Sequence, residues 1–260
     1  MEVAVYVINL DRRPDRLTFM QQQLDGLGIA WQRVSANDMQ SVDHERLRQE
    51  VAETGHIRSM GMGSQCCALS TFDIFRHILK TEIPFALILQ DDVELAPDLK
   101  SFLTNLDWLP GDIDLVQFEK YGRIHSKRLL GPPLGIPPVP GRHLHRIHSR
   151  TGGAACWLIK REAVQFIMER KPLLRMPIDH FLFSPNISPV FKQLRVAVVT
   201  PALARQRDDS FESDLANERS KRSKSVLQRL RRFWQEVNCL PSQLLTWIGG
   251  ARWRSFEYKR

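Results

Sequence analysis

The sequence predicts an α/β fold with a mostly parallel central sheet flanked by helices. Three observations lead to this fold class: a β-branched stretch at residues 3–10, an amphipathic stretch that starts at Pro14, and a continuous apolar stretch at residues 85–89. A strand, a helix and another strand in succession are typical of parallel sheets, because the helix returns the chain to the edge where the next strand begins. The 260 residues are enough to bury one large core.

The first half of the chain repeats the strand–helix alternation. Residues 3–10 (VAVYVINL) and 30–36 (AWQRVSA) have the composition of strands, and Gly28 ends the helix between them. A second helix is predicted over residues 66–80, and the buried strand FALIL follows it. Both helices place apolar residues at helical intervals, which are Leu17, Met20, Leu24 and Leu27 in the first and Leu69, Phe72, Ile78 and Leu79 in the second.

The second half contains further strands around one irregular segment. Strands are predicted at residues 112–118 and 194–206, and a strand followed by a helix at residues 151–170. Residues 122–150 contain four glycines and five prolines with little periodicity. This composition predicts a flexible loop, which we expect to close over a bound ligand and exclude water. The histidines of this loop lack the partners that a zinc site requires.

Charge and cysteine content narrow the class of protein. The net charge is +8, yet residues 219–260 contain eleven Lys or Arg and two Glu, so the remainder of the chain is nearly neutral. A neutral body argues against a nucleic-acid-binding surface on it. The four cysteines form no CxxC pair, and the sequence contains no apolar run long enough to cross a bilayer. We therefore expect reduced thiols in a cytoplasmic protein without an export signal.

The basic tail, residues 219–260, has an amphipathic pattern of its own. An apolar stripe with helical spacing lies beside Arg229, Arg231 and Arg232, and Pro241 is expected to break the helix. Such a mixture suits a helix on an anionic membrane surface, with aromatic rings at the acyl boundary. The alternatives are that the stripe packs on the protein or that the tail binds nucleic acid. We favour a peripheral location on the inner face of the cytoplasmic membrane.

Asp91 and Asp92 end the apolar strand side by side, where two ionised carboxylates repel each other. Ligands of α/β sheets bind at the carboxyl ends of the strands. Two carboxylates there can hold Mg²⁺ or Mn²⁺ and leave positions open for phosphate oxygens. By spacing alone, the commoner explanation is a helix N-cap or an exposed acidic turn.

Six short blocks follow one another along about residues 3–207: VINLDRRPDR, GSQCCALST, FALILQDDV, TGGAACWLI, PIDHFLF and PALARQ. In this order they resemble glycosyltransferase family 25, which contains bacterial lipopolysaccharide and lipooligosaccharide galactosyltransferases. The resemblance implies a GT-A-like nucleotide-sugar-binding domain, which we assign to residues 1–218, with the basic tail outside it. Departures from the family pattern occur at Ser64, Cys66, Thr71 and Gln90.

The resemblance also implies roles for individual residues. Asp91 and Asp92 would hold a divalent metal, Mn²⁺ or Mg²⁺, and Asp91 would also contact the sugar nucleotide. Asp179 would be the general base that takes a proton from the acceptor hydroxyl, and an N-cap for the helix HFLF is the alternative. The other expected contacts to the nucleotide sugar are Asn9, Arg12, Arg16, Gly152, Gly153 and Gln206.

The function implied is a metal-assisted, inverting transfer of galactose from UDP-galactose to a lipid-linked lipopolysaccharide or lipooligosaccharide acceptor. A catalytically inactive scaffold that still binds nucleotide sugars is the first alternative, because Gln90 replaces an acid beside the Asp pair. A basic nucleic-acid-binding protein that acts through its tail is the second. The neutral body and the Trp-rich tail argue against it, so we expect no nucleic-acid partner.

Overall fold

The computed structural model describes residues 2–53, 55, 60–122, 126–171, 173–207 and 226–260, and within the last range the side chains of residue 230 and residues 233–260. The strands in these ranges are β1 (Val3–Asn9), β2 (Gln32–Ser35), β3 (Phe85–Gln90), β4 (Val93–Leu95), β5 (Leu115–Gln117), β6 (Glu119–Lys120), β7 (Arg128–Leu134), β8 (His143–Ile147), β9 (Cys156–Lys160), β10 (Val196–Thr200), β11 (Ala204–Gln206) and β12 (Arg252–Arg254). The helices are α1 (Pro14–Gly26), α2 (His44–Glu50), α3 (Met62–Leu79), α4 (Leu99–Thr104), α5 (Arg161–Arg170), α6 (Ile178–Phe183) and α7 (Val226–Ile248), with a 3₁₀ turn at Phe191–Gln193.

Nine strands form one central sheet in the order β2-β1-β3-β9-β5-β10-β8-β7-β12. Six of them run in one direction, whereas β8, β9 and β12 run in the other. The predicted α/β class and the mostly parallel, helix-flanked sheet are therefore confirmed. Because the reversed strands are interspersed, the neighbouring pairs comprise three parallel and five antiparallel pairings.

The central sheet is buried on both faces, which explains the continuous apolar run of β3. Ile88 packs with α3, α5 and α6 on one face, and Leu87 and Leu89 pack with α1 and α4 on the other. A strand covered by helices on both sides needs apolar residues at every position rather than at alternate positions. The predicted strands β1, β2, β3, β5, β9 and β10 and the predicted helices α1, α3 and α5 are present.

The flexible loop predicted at residues 122–150 is wrong, because two strands of the central sheet lie within this segment. Residues 128–134 and 143–147 form β7 and β8, which pair with each other and join the central sheet through β10. Leu129, Leu130 and Leu144 are fully buried and anchor the two strands in the core. The glycines and prolines of this segment lie in and around a register shift between β7 and β8. They interrupt the alternation of side chains by which a strand is recognised in a sequence.

The basic tail is also more integrated than predicted. Its final strand, β12, pairs with β7 and forms the edge of the central sheet. Pro241 lies inside α7, so the predicted break is wrong. The proline removes one N–H group from the helix, and Pro241 itself is exposed. The predicted boundary at residues 218–219 lies outside the described residues.

A second, three-stranded sheet, β4-β11-β6, positions the candidate site. Each of its strands directly follows a central strand along the chain: β4 follows β3, β6 follows β5, and β11 follows β10. The chain therefore passes between the two sheets at the carboxyl ends of three aligned strands. Among the described helices we find none with the length and apolarity required to cross a membrane.

Candidate functional site

The acid pair lies between β3 and β4, at the carboxyl edge of the central sheet. Asn9 ends the neighbouring parallel strand β1 and is brought beside Asp91 by the pairing of β1 with β3. Strand β9 begins at the same edge from the other side, because it runs antiparallel to β3. Residues from three strands thus converge where an α/β sheet binds its ligands.

Both carboxylate oxygens of Asp91 are used inside the protein. Asn9 Nδ2 donates to Asp91 Oδ2 over 2.7 Å, and Arg16 Nη1 donates to Asp91 Oδ1 over 3.2 Å. Asn9 also donates to the carbonyl of Arg13 and accepts from Arg33, so its side-chain amide is fully engaged. These contacts tie the end of β3 to the start of α1. Asn9 consequently positions Asp91, and the buried Arg16 supplies a fixed positive charge.

Asp92 is the more accessible member of the pair. Its side chain is 22% exposed, compared with 9% for Asp91, and its Oδ2 lies 3.9 Å from Arg16 Nη1. Burial, followed by repulsion from Asp91, raises the pKa of Asp92 to about 6, and Arg16 offsets only part of this effect. Burial also raises the pKa of Asp91, against the hydrogen bond from Asn9 and the charge of Arg16. The pair therefore lacks full charge compensation.

Two glutamines complete the surroundings of Asp92. Gln206, at the end of β11, donates to Gln90 Oε1 over 3.0 Å and reaches Asp92 Oδ1 at 3.5 Å. Gln90 in turn faces the thiol of Cys67, with 3.6 Å between Nε2 and Sγ. The prediction that Gln206 lies near the site is thus consistent with its contacts.

Gly152 and Gly153 bring the backbone close to Asp179. The N–H of Gly153 points to Asp179 Oδ2 over 3.4 Å, and Gly153 has φ +87°, a conformation that favours glycine. A Cβ at Gly152 would lie 2.8 Å from the Tyr121 ring and 3.7 Å from Asp179 Oδ2. Asp179 lies in the first turn of α6, where its Oδ1 accepts from the N–H of His180 over 2.8 Å.

Cys67 of α3 links the two groups of carboxylates. Burial, then the charges of Asp179, Asp92 and Asp91 among others, raises the pKa of its thiol to about 12. Such an effect requires all three carboxylates to lie within electrostatic range of one sulfur atom. The acid pair and Asp179, which are almost ninety positions apart in the chain, therefore lie within electrostatic range of the same side chain.

Arg12 has a different environment from the other predicted residues. Its Nε donates to Asp38 Oδ2 over 2.6 Å, and its side chain is 31% exposed. This pair fastens the turn after β1 to the segment that precedes α2. The described contacts thus join Asn9, Arg16 and the acid pair directly, and place Arg12 in a separate ion pair.

Glu119 and Tyr121 are site residues that the sequence analysis missed. The Glu119 carboxylate accepts from the N–H of Ala155 over 2.6 Å and is buried. A Cβ at Gly153 would lie 2.6 Å from Glu119 Oε1, so Glu119 packs directly against this turn. The signal was the pattern of Gln117 and Glu119 at the end of an apolar strand, the same pattern that revealed Asp91.

A divalent metal fits this site through Asp92 rather than through both aspartates. The described residues contain no group of three or more His, Cys, Asp or Glu side chains arranged to hold a metal ion. Mg²⁺ and similar ions commonly use one or two carboxylates, with phosphate and water oxygens as the remaining ligands. Asp91 already holds Asn9 and Arg16, whereas the charge of Asp92 is poorly compensated and one face of its side chain is accessible.

Comparison with known proteins identifies the family. Residues 2–182 match the sequence profile of glycosyltransferase family 25, described as an LPS biosynthesis protein. The chain belongs to glycosyltransferase family 25. The match includes the acid pair and Asp179, and the family resemblance derived from the six sequence blocks is confirmed.

Individual relatives differ in how much of their length is matched. A glycosyltransferase 25 family member of Aedes aegypti is 31% identical over 195 residues, which are 68% of this chain and 30% of that protein. The lacto-N-neotetraose biosynthesis glycosyltransferase LgtB of Neisseria meningitidis serogroup B is 25% identical over 215 residues, covering 77% of this chain and 74% of LgtB. This chain therefore spans less than a third of the insect relatives that it matches.

A solved structure of similar architecture is a glycosyltransferase involved in the glycosylation of the major capsid of PBCV-1. It has a TM-score of 0.41 and 11% sequence identity, and the match covers 81% of this chain and 95% of that one.

Proposed function

We propose that this family 25 protein is a glycosyltransferase that moves galactose from UDP-galactose to a lipopolysaccharide or lipooligosaccharide glycan. The observation that supports the proposal is the acid pair at the carboxyl edge of the sheet, held by Asn9 and Arg16, with Asp179 within electrostatic range of the same thiol, Cys67. In this proposal Asp92 serves the sugar donor and Asp179 serves the acceptor. The name of the meningococcal relative connects that protein with an oligosaccharide product.

The sugar-donor side of the site is formed by Asp92 and Arg16. Asp92 would hold Mn²⁺ or Mg²⁺, and the bound cation would neutralise the diphosphate leaving group. Arg16 Nη1 lies within 3.9 Å of both aspartates and keeps a positive charge at this edge. Asn9 holds Asp91 and thereby Arg16 in place. Gly152 and Gly153 allow Tyr121 and Glu119 to pack directly against the backbone of this turn, because neither glycine carries a Cβ.

The acceptor side of the site is formed by Asp179. Its carboxylate is 24% exposed and is held by the N–H groups of Gly153 and His180. In an inverting transfer the acceptor oxygen attacks the sugar C1 as the bond from C1 to the diphosphate oxygen breaks. The electron pair leaves with the diphosphate, and the hydroxyl proton passes to Asp179.

Two variants separate these roles. Asp92→Ala should lose Mn²⁺-dependent UDP-galactose binding in calorimetry, and with it sugar transfer. Asp179→Asn should keep this binding and slow transfer by about 100-fold or more. Asp107→Ala, a change in an exposed turn, is the matched control and should leave both unchanged. Wild-type protein that binds no UDP-sugar from a panel in the presence of Mn²⁺ would contradict the proposal.

The scaffold alternative depends on the departures from the family pattern. Gln90 lies within the site, where its amide contacts Gln206 and Cys67. Thr71, in contrast, is buried in α3 and donates to the carbonyl of Cys67. The alternative is favoured if wild-type protein binds UDP-galactose with Mn²⁺ and yet neither transfers nor hydrolyses the sugar. Restoration of activity by Gln90→Glu would then identify the missing carboxylate.

We also propose that α7 places the enzyme on an anionic membrane surface, at the inner face of the cytoplasmic membrane. The helix turns its apolar side away from the protein, and the less exposed positions are mostly polar, among them Gln235, Gln243 and Thr246. This arrangement is the reverse of a helix that packs on its own domain. The large apolar side chains are 47–71% exposed, and they are Leu230, Phe233, Trp234, Leu240, Leu244, Leu245, Trp247 and Ile248.

Charge favours a lipid surface as the partner of this apolar face. The tail contains eleven Lys or Arg and two Glu, and the Arg252 guanidinium lies 5.4 Å from the Trp247 ring centre. Aromatic rings at the acyl boundary with cations on anionic headgroups are typical of interfacial helices. A glycan attached to a lipid would be presented at the same surface.

Vesicle binding tests this surface. Leu245→Glu, on the apolar side, should reduce co-sedimentation with vesicles containing anionic phosphatidylglycerol, and neutral phosphatidylcholine vesicles should bind wild type weakly. Gln243→Glu introduces the same charge on the less exposed side of α7, opposite Leu245, and should have a much smaller effect. Equal loss in both variants would contradict the proposed orientation. Dimers in solution that Leu245→Glu dissociates would assign the face to a second copy instead.

A further inference from the structure

Three arginines form a row across one end of the central sheet. Arg128 begins β7, and its direct partner on β12 is Arg254. On the other side, Leu129 N–H donates to Ser149 Oγ over 2.9 Å, which places Arg150 next to the same strand end. Like charges directly opposite each other on antiparallel strands are destabilising. The fold therefore maintains this row against its own repulsion.

A lysine extends the arginines into a cluster, and we call Lys120, Arg128, Arg150 and Arg254 the basic row. Burial, and then the charge of Arg128, lowers the pKa of Lys120 to about 8. Burial and the charge of Arg150 lower the pKa of Arg128. Arg128 thus lies within electrostatic range of Lys120, and Arg150 within electrostatic range of Arg128.

Compensating acids are scarce around the arginines of the basic row. Within the described part of the chain, no carboxylate forms a salt bridge with Arg128, Arg150 or Arg254. The negative charge of Glu257 favours the protonated form of Lys120. Arg128 donates one Nη1 hydrogen bond, to the carbonyl of Lys127, while its buried Nε has no hydrogen-bond partner. A buried guanidinium N–H without an acceptor carries a desolvation cost, so the protein itself does not fully compensate Arg128.

The basic row adjoins the acceptor side of the candidate site. Arg150 precedes Gly152 by two residues, so their Cα atoms lie no more than about 7–8 Å apart. Lys120 lies between Glu119 and Tyr121, whose side chains contact the Gly152–Gly153 turn. Arg150 therefore lies beside the turn that contacts Asp179, and Arg128 lies within electrostatic range of Arg150. The strands that carry the basic row are distinct from the β1–β3 edge that holds Asp92.

We propose that the basic row binds an anionic substituent, a phosphate or a carboxylate, on the acceptor glycan. This inference rests on the proposed glycosyltransferase function and adds the chemical class of its acceptor. Guanidinium groups suit it because their planar N–H forks match the oxygens of phosphate and carboxylate. The diphosphate of the sugar donor is served by the Asp92 side, which leaves the basic row for a second anion.

Binding of a phosphorylated sugar tests the inference directly. The probe is mannose 6-phosphate, with unphosphorylated mannose as the neutral comparison, titrated into the full chain with Mn²⁺, first without UDP and then with saturating UDP. Wild type should bind the phosphorylated sugar, and Arg254→Gln and Arg150→Gln should each weaken that binding about tenfold or more. Arg254 is exposed, so its replacement does not endanger folding. Arg48→Gln, an exposed change on α2, is the matched control.

Three results would overturn the inference. The first is equal binding in wild type and Arg254→Gln, and the second is displacement of mannose 6-phosphate by UDP, which would assign the cations to the sugar donor. The third is displacement by phosphatidylglycerol vesicles, which would assign them to lipid headgroups. UDP binding is measured in the same titrations and is unaffected by these variants. Its absence in wild type would count against the proposed function, whatever the phosphorylated sugar does.

Discussion

Asp92 is a residue at which stability and function oppose each other. Its pKa in the folded protein is about 6, compared with an ordinary value of 3.8, so the fold disfavours the ionised form. The free energy of unfolding contributed by Asp92 therefore falls as pH rises from about 4 to about 6, and stays low above that range. A bound cation would reverse this penalty, because it stabilises the ionised carboxylate.

Asp92→Asn should consequently stabilise the metal-free protein at neutral pH. A shift of about two pKa units corresponds to at most about 3 kcal/mol, and we expect an increase of about 1–3 kcal/mol at pH 7 and little change at pH 4. Urea unfolding at the two pH values measures this difference. Asp107→Asn serves as the exposed control. A loss of stability at pH 7 would show that the hydrogen bond from Gln206 outweighs the burial of Asp92.

Gly153 is the residue at which backbone conformation matters most to the site. It has φ +87°, and a Cβ there would lie 2.5 Å from Tyr121 Cβ and 2.6 Å from Glu119 Oε1. Gly153→Ala should lower the free energy of unfolding by about 1–3 kcal/mol and should reduce transfer, because the turn that contacts Asp179 must move.

Gly26 provides the matched control for this substitution. It lies in α1 with no atom within 4 Å of an added Cβ. Gly26→Ala should be neutral or stabilising by up to about 1 kcal/mol, because alanine is the better helix former. Chemical denaturation of both variants gives the comparison, and equal stability of Gly153→Ala and wild type would contradict the proposed constraint.

At the scale of elements, periodicity predicted the parts of the fold that are buried in a regular way. Strands β1 and β3 and helices α1 and α3 were predicted because their side chains follow one simple burial pattern. Strands β7 and β8 were not, because prolines and a register shift interrupt their pattern. The continuation of α7 through Pro241 was not predicted either, because the sequence alone does not show that this proline is on the exposed side of the helix.

The site residues that end predicted strands could be predicted from the sequence, whereas those positioned by distant parts of the chain could not. Asp91, Asp92 and Asn9 end predicted strands, so their convergence followed from the parallel sheet. Glu119 lies in the short strand β6, whose pairing with β11 is determined by distant parts of the chain. Its position against Gly153 requires the three-dimensional arrangement of both sheets.

Pro241 offers a test of α7 as one element. Replacement by alanine restores the missing N–H group and removes the clash between the proline ring and the preceding turn. Because the helix already continues on both sides of this position, Pro241→Ala should increase the free energy of unfolding by about 1–3 kcal/mol and raise helical circular dichroism. Ser242→Ala is the neighbouring control and should change stability by about 1 kcal/mol or less. Unchanged helicity would contradict a single continuous α7.

At the scale of the whole molecule, residues 251–260 are joined to several distant parts of the domain. Arg142 is buried and joins distant segments: it pairs with Asp98 over 2.7 Å and donates to the carbonyls of Pro201, Ala202 and Lys259. The N–H of Ala202 donates to the carbonyl of Glu257 over 2.8 Å. Residues 251–260 are thus tied both to strand β7 and to the segment between β10 and β11.

Deletion of residues 251–260 should therefore destabilise the entire domain rather than release an independent tail. Loss of β12 exposes the hydrogen-bonding edge of β7, which is a template for aggregation, and leaves Arg142 with an unfilled donor inside the protein. We expect a loss of at least about 2 kcal/mol in the free energy of unfolding and a reduced fraction of monomer in size-exclusion chromatography. Arg260→Ala, an exposed change at the last residue, should behave as wild type. If the shortened chain unfolds at the same denaturant concentration as wild type, β12 and the residues after it do not belong to the cooperative unit that positions the site.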